Sequence, residues 1–229
     1  MTHISILLNR ESVILLPEGA LWWPDRRLLA VADLHFEKGS SYGLRGQFLP
    51  PYDTRATLGR LCELALTHKP ATIVALGDSF HDREGPGRLD REDAAQLRAL
   101  TASHDFVWIT GNHDADAAVA CGGAAVETYR VGGLTFRHEP AEGDAPGEIC
   151  GHLHPKASVV VKGRRISRFC FLSDGRRMVM PAFGAFTGGL DAFDPAFFPV
   201  FPSGFSAYLL GKGKVYAFPM DSLRARPAA

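Results

Sequence analysis

Five short clusters of Asp, Asn and His carry the chemistry this sequence could perform. In chain order they are Asp33-Leu34-His35, Gly77-Asp78-Ser79-Phe80-His81-Asp82, Gly111-Asn112-His113-Asp114, Arg137-His138-Glu139-Pro140 and Gly151-His152-Leu153-His154. Carboxylate, amide and imidazole donors in this mixture suit divalent first-row metal ions. None of the four cysteines falls in a cluster, which disfavours a soft thiolate site. In an extended D-x-H or H-x-H the two side chains lie on one side of the chain, because strand periodicity is two, so both can reach one ion or two neighbouring ones. A preceding glycine, as before Asp78, Asn112 and His152, lets the backbone turn sharply and bring the next residue beneath an ion.

Taken singly, each cluster has a plainer explanation. Asp33-x-His35 is a common pair, and Asn112 could cap a helix from Asp114 to Ala120. His152 and His154 could be exposed strand residues, and a lone His138 could be an ordinary satisfied histidine. What joins the clusters is position, since each falls at the end of a strand-like run.

Those runs come from the hydrophobic pattern. Leu28 to Ala32, Thr72 to Leu76 and Phe106 to Ile109 are apolar stretches of buried-strand length. Between them lie two helical patterns, Asp53 to Thr67 with Leu58, Leu61, Leu64 and Ala65 on one face, and Asp90 to Thr101 with Ala94, Leu97 and Leu100. Pro50-Pro51 suits the start of the first. Upstream, Ile4 to Leu8 and Val13 to Leu16 flank Asn9-Arg10-Glu11 as a hairpin. Downstream the chain turns to hairpins: Val126 to Val131 with Leu134 to Phe136, Ile166 to Leu172 with Arg177 to Met180, and Tyr208 to Leu210 with Lys214 to Ala217, each around a glycine-containing turn. The expected fold class is α/β, a two-sheet sandwich with helices on its outer faces and antiparallel hairpins in the carboxyl-terminal half. Such folds place ligands at the carboxyl ends of their strands. A single domain over 1–229 is expected, with metal motifs within 33–154, hairpins and substrate-side loops over 155–223 and a loose tail over 224–229.

Composition narrows the class. With 229 residues, 46% hydrophobic and 22% charged, the chain can bury a sizeable core and is neither disordered nor collagen-like. Cys62, Cys121, Cys150 and Cys170 form no C-x-x-C pair and are expected to be reduced, small apolar residues. No apolar run approaches the roughly 20 residues of a membrane span, and the amino terminus lacks a secretory-signal pattern, so a cytoplasmic protein without membrane contact is expected. Lys+Arg and Asp+Glu both number 25, which at first sight argues against wrapping nucleic acid by charge. Locally the balance differs: Lys156, Lys162, Arg164, Arg165, Arg168, Arg176 and Arg177 face only Asp174 between Lys156 and Met180. Arg164 and Arg165 on such a strip could track a phosphate backbone.

The ordered set D-x-H, G-D, G-N-H-D, a lone His and G-H-x-H, over about Val31 to Pro155, resembles the calcineurin-like metallophosphoesterase superfamily. The resemblance implies an αββα sandwich holding two divalent metal ions that activate water against phosphorus and offset the charge that develops there. Carried over by position, Asp33, His35 and His154 would hold one ion, and Asn112, His138 and His152 the other, with Asp78 bridging both. His113 would protonate the leaving oxygen. His81 and Asp82 could reach the metals or substrate, or simply support the turn.

Four strings narrow the resemblance: Asp33 to Gly39, Leu49-Pro50-Pro51-Tyr52-Asp53-Thr54, Gly77 to Asp82, and Pro181-Ala182-Phe183-Gly184-Ala185-Phe186-Thr187-Gly188-Gly189. They are similar to the bacterial ligase-associated DNA damage response endonucleases, encoded beside a DNA ligase, a nuclease and a helicase. This implies a manganese-dependent phosphodiesterase that nicks single-stranded DNA, although Fe, Co, Ni and Zn accept the same donors. The competing expectations are a small-molecule phosphoesterase acting on a cyclic nucleotide, nucleotide or phosphomonoester, and an inactive scaffold of the same fold.

Overall fold

The computed structural model describes residues 3–47, 49–111 and 120–223. Asn112, His113, the helix expected from Asp114 onward and the tail expected over 224–229 lie outside the described residues.

Two sheets form the sandwich. The first contains β1 (Ile4–Leu8), β2 (Glu11–Leu15), β3 (Leu21–Trp23), β4 (Leu28–Ala32), β5 (Thr72–Leu76), β6 (Asp105–Ile109) and β7 (Ala124–Val126), in that spatial order. Strands β1 to β4 pair antiparallel, whereas β4 to β7 pair parallel. Parallel pairing requires crossovers, supplied here by helices α2 (Asp53–His68) and α4 (Arg91–Ser103). Two shorter helices, α1 (Lys38–Leu44) and the single turn α3 (Gly85–Arg88), follow β4 and β5.

Strand β4 shows why its sequence is apolar throughout. Leu29 and Val31 pack with Leu58 and Leu61 of α2 and Leu97 of α4. Leu28, Ala30 and Ala32 point the other way, into a second cluster with Phe136, Ile149 and Phe171 of the opposing sheet. A strand covered on both faces needs no polar alternation. Helix α4 begins where the Asp90 side chain accepts the Glu92 N–H, and α2 ends where Lys69 turns left-handed before Pro70.

The second sheet comprises β8 (Thr128–Val131), β9 (Leu134–Arg137), β10 (Glu148–Cys150), β11 (Lys156–Val161), β12 (Arg164–Ser173), β13 (Met178–Val179), β14 (Ser206–Leu210) and β15 (Val215–Pro219). Its order is β15-β14-β12-β13-β10-β9-β8, with β11 paired to the first half of β12. The expected hairpins are present, yet β9, β10 and β13 run parallel to one another, so this sheet is mixed. The strand expected over Val126 to Val131 is split. Its first part joins β6, its second part pairs with β9, and Glu127 lies between the two sheets. Apolar periodicity continued across that step because both halves face the same inter-sheet core.

On the outer face of the second sheet, Cys150, Cys170, Leu172 and Val179 are covered by Phe197, Val200, Phe201 and Phe205. The Phe-rich segment over 193–205 therefore packs largely as core, and it contains a 3-10 turn, Pro195–Phe197. Trp23 and Trp108 are also buried, as are Cys121, Cys150 and Cys170. No helix among the described residues is long and apolar enough to cross a membrane.

A buried joint fixes the loop after β4. Thr54 Oγ1 accepts the Glu37 N–H at 2.8 Å and donates to Glu37 Oε1 at 2.9 Å, while Asp53 Oδ2 accepts the Gly39 N–H at 2.9 Å. Thr57 Oγ1 in turn accepts the Ala185 N–H at 3.0 Å. Three of the strings that carry the family resemblance thus interlock at the start of α2. Thr54→Val preserves shape but leaves the Glu37 N–H and one carboxylate oxygen without these partners. It should lower unfolding free energy by about 1–3 kcal/mol, read from the urea midpoint at constant m-value.

Candidate metal centre

Strands β4 and β5 end side by side, with Ala32 opposite Leu76, and β9 and β10 end beside each other in the second sheet. The residues that follow converge. His138, after β9, directs its Nδ1 at the Leu76 carbonyl at 3.0 Å, crossing from one sheet to the other. The His152 N–H, after β10, points at both oxygens of Asp33, at 3.1 and 3.2 Å.

The local backbone differs from the extended D-x-H and H-x-H expected from sequence. Asp33, His35, Asp78, His152 and His154 all have positive φ, between 44 and 65°. For a residue with a Cβ this left-handed conformation costs roughly 1–2 kcal/mol. Five such residues in one place mark a site held against local preference by its surroundings. The alternating left-handed residues coil the chain so that the pairs converge without a strand. The loops after β4 and β5 are laced together by His35 N–H to the Asp78 carbonyl, Phe36 N–H to Ser79 and His81 N–H to Phe36, each at 2.9 Å.

Two glycines serve this convergence differently. Gly77 has φ +71°, and a Cβ there would collide with the His138 ring. Gly151 has no such φ, but a Cβ would meet Asp33 Oδ2 at 2.5 Å. The first fulfils the expected sharp turn, and the second is a close approach.

Three groups of donors result among the described residues. Asp33, His35 and His154 form one, with His154 Nε2 at 3.3 Å from both Asp33 Oδ1 and His35 Nε2. Asp33, Asp78 and His138 form the second, with His138 Nε2 at 3.5 Å from Asp78 Oδ1. His138, Glu139 and His152 form the third, where His152 Nδ1 lies 3.2 Å from His138 Nε2 and 3.9 Å from Glu139 Oε1. Within each, the donor atoms lie within 4.8 Å of one another. Glu139 was visible in the sequence only as the neighbour of His138, and was assigned no role there. Its side chain is half exposed at the rim.

The donor chemistry fits divalent ions. A carbonyl can only accept, so His138 Nδ1 donates to Leu76, which leaves Nε2 as the ring atom that faces Asp78 and His152. Burial is the main reason His35 is pulled down to about 3; His154 and Lys38 add to it against the opposing charge of Asp33, so the ring is neutral and can donate. Burial also disfavours charge on His154, but the Asp33 hydrogen bond and the charges of Asp33 and Asp78 outweigh it and raise this pKa. Asp33, His35, Asp78, His138, His152 and His154 are therefore brought together.

His81 and Asp82 stand beside this centre. The His81 ring lies 6.2 Å from His35 and 5.5 Å from Tyr42, and burial, then Lys38, hold its pKa below the ordinary value. Asp82 is gripped by Arg88 through two 2.8 Å contacts. Burial pushes the Asp82 carboxyl up, but hydrogen bonds from Ser41 and Arg88 bring it below the usual carboxylate range.

The basic strip is not one surface. Arg177 is buried in an ion pair with Glu148, and Arg176 lies 2.8 Å from Asp144. Arg164 and Arg165 are exposed neighbours on β12, so their side chains leave opposite faces of the β11–β12 hairpin. Arg165 also lies 3.7 Å from Asp191.

A mixed two-sheet sandwich with Asp and His donors gathered at its strand ends defines a metal-dependent phosphoesterase. The chain belongs to the calcineurin-like phosphoesterase family, which matches residues 26–175 and uses a dinuclear metal site. Among solved structures it is similar to the nuclease MPE of Pseudomonas putida, at 31% identity and a TM-score of 0.72, over 95% of this chain and 100% of that one. It also aligns with AQ665 of Aquifex aeolicus, of unknown function (17% identity, TM-score 0.39, 56% of this chain and 78% of that one). A third match is YfcE, a phosphoesterase from E. coli (14% identity, TM-score 0.44, 84% and 98%). No curated protein matches the chain in sequence.

Gly77→Ala tests the geometry without relying on activity. The added methyl must displace the His138 ring, so bound metal, measured by elemental analysis after equilibration and desalting, should fall by about half relative to wild type. Unchanged metal content would show that the ring has room to move.

Proposed function

We propose that this protein is a manganese-dependent endonuclease that hydrolyses phosphodiester bonds of single-stranded DNA in DNA repair. The observation that carries this reading is the similarity to the P. putida nuclease along essentially the whole of both chains. The paired donor groups at the strand ends support it, because their shared members can serve two adjacent ions.

Asp33, His35 and His154 are assigned to one ion, and Asn112, His138 and His152 to the other. Asp78 is assigned between them. Its Oδ1 lies 3.5 Å from His138 Nε2, and its charge also raises the pKa of His154, so its carboxylate addresses both groups. When bound, two divalent ions would supply an activated water and offset charge on the phosphoryl oxygens. The chain's own residues then orient and protonate. Asp33, gripped by the His152 N–H, holds His154 in place; the Leu76 carbonyl fixes the ring of His138; His113 donates the proton to the leaving oxygen. Asn112 and His113 owe their roles to the sequence resemblance, and they directly follow Gly111 beyond β6.

A DNA leaving group is a poor one, so it needs a proton more than an activated aryl leaving group does. His113→Ala should keep its metals and lose about 10²–10⁴-fold in DNA cleavage, with a smaller loss on a bis-aryl phosphodiester. Wild-type cleavage by that variant removes His113 from the mechanism. Asp78→Ala should abolish turnover of both substrates, and residual turnover near wild type contradicts a shared carboxylate. The decisive assay offers circular single-stranded DNA, a bis-aryl phosphodiester and an aryl phosphomonoester to protein loaded in turn with Mn²⁺, Fe²⁺, Co²⁺, Ni²⁺ and Zn²⁺. Linearisation of the circle, fastest with Mn²⁺, is expected. Hydrolysis of the small esters with the circle intact replaces this reading with that of a small-molecule phosphoesterase.

A further inference from the structure

We infer that the cleft between the end of α1 and the turn leading to α3 holds the nucleic-acid backbone beside the scissile phosphate, with Arg45 and Arg83 each engaging a flanking phosphate. This rests on the DNA-cleaving reading above and adds where the polymer lies.

The cleft has a volume of about 840 Å³ and opens from the donor groups themselves, since His35 and Asp78 line it together with Phe80. Ligand pockets run from roughly 300 to 1,000 Å³, so the space is large enough for a nucleotide-sized segment. One wall carries Leu44 and Arg45, and the other carries His81 and Arg83.

Charge distinguishes the arginines of this cleft. Arg88 is committed to structure: it holds Asp82, lies 3.9 Å from Glu84 and donates to Ser40 Oγ at 2.9 Å, which binds α3 to α1. Arg45 and Arg83 are exposed on either wall and form no ion pair among the described residues. Also on α1, Lys38 Nζ sits 5.8 Å from the Tyr42 ring centroid. Unmatched cations around an anion-processing site concentrate a polyanion there.

The walls also offer apolar surface. Leu44 is 72% exposed, and the ring of His81, on the other wall, lies 5.5 Å from that of Tyr42 in α1. Such surfaces receive sugars and bases without reading sequence. On the β11–β12 hairpin, by contrast, Arg164 and Arg165 point to opposite faces, and Arg165 lies 3.7 Å from Asp191.

The test uses metal-loaded Arg45→Gln, Arg83→Gln and the double variant, with Lys214→Gln, exposed at the β14–β15 turn, as the charge control. Substrates are a short single-stranded oligonucleotide and a bis-aryl phosphodiester, each followed across a salt series. Each cleft variant should raise KM for the oligonucleotide about tenfold, as expected for loss of one charge-assisted phosphate contact, with kcat changed far less. Each should also flatten the logarithmic salt dependence by about 0.7. The control should shift neither. An unchanged KM and salt slope in the double variant overturns the assignment, as does an equal loss on both substrates. A wild-type protein that hydrolyses the bis-aryl ester but no DNA removes the underlying DNA reading instead, whatever the variants do.

Discussion

The buried carboxylate of Asp33 is the constraint around which this molecule is arranged. It is wholly removed from solvent at the end of β4, and an anion so placed needs compensation. The compensation arrives from the other sheet, as the His152 N–H and the His154 ring, with the His138 ring 3.8 Å away. Both sheets must therefore end at one edge of the sandwich. Parallel pairing of β4 to β7 and of β9 with β10 aligns their carboxyl ends there. Gly151 follows from the same requirement, because a Cβ at that position would occupy the space of the Asp33 carboxylate.

Holding donors around that anion puts strain in the backbone, and the surroundings offset it. The left-handed residues at 33, 35 and 78 lie in loops laced to each other by main-chain hydrogen bonds. Behind them, Glu37 and Gly39 are fastened to Thr54 and Asp53 at the first turn of α2. The Pro181–Gly184 segment closes the third side, where the Phe183 N–H meets the Ala32 carbonyl and the Gly184 N–H meets Asp33. Family strings far apart in sequence are thus one support, in which Glu37, Asp53 and Thr54 brace the donors that Asp33, His35 and Asp78 supply.

Formal neutrality of the chain conceals an uneven use of charge. Some arginines are consumed inside the fold: Arg177 neutralises the buried Glu148, and Arg88 secures Asp82. Others, such as Arg45 and Arg83, remain at the surface beside the donor groups. A count along the sequence treats these alike, and the strip from Lys156 to Arg177 looked continuous for that reason.

Local pattern sufficed for much of the architecture. The three core strands and the helices α2 and α4 were legible because hydrophobic period depends on neighbours in the chain, and the donor residues were legible because they sit where those periods stop. The break at Glu127, the parallel course of β9, β10 and β13, and the left-handed coiling of Asp33 and His35 were not, since each depends on what another part of the chain demands. Donor identity belonged to the sequence, whereas the grouping of donors, the rim position of Glu139 and the opposite faces of Arg164 and Arg165 belonged to the tertiary structure. The reason is one of distance: Asp33 and His152 are 119 positions apart, and only the packing of one sheet on the other brings the amide of the second to the carboxylate of the first.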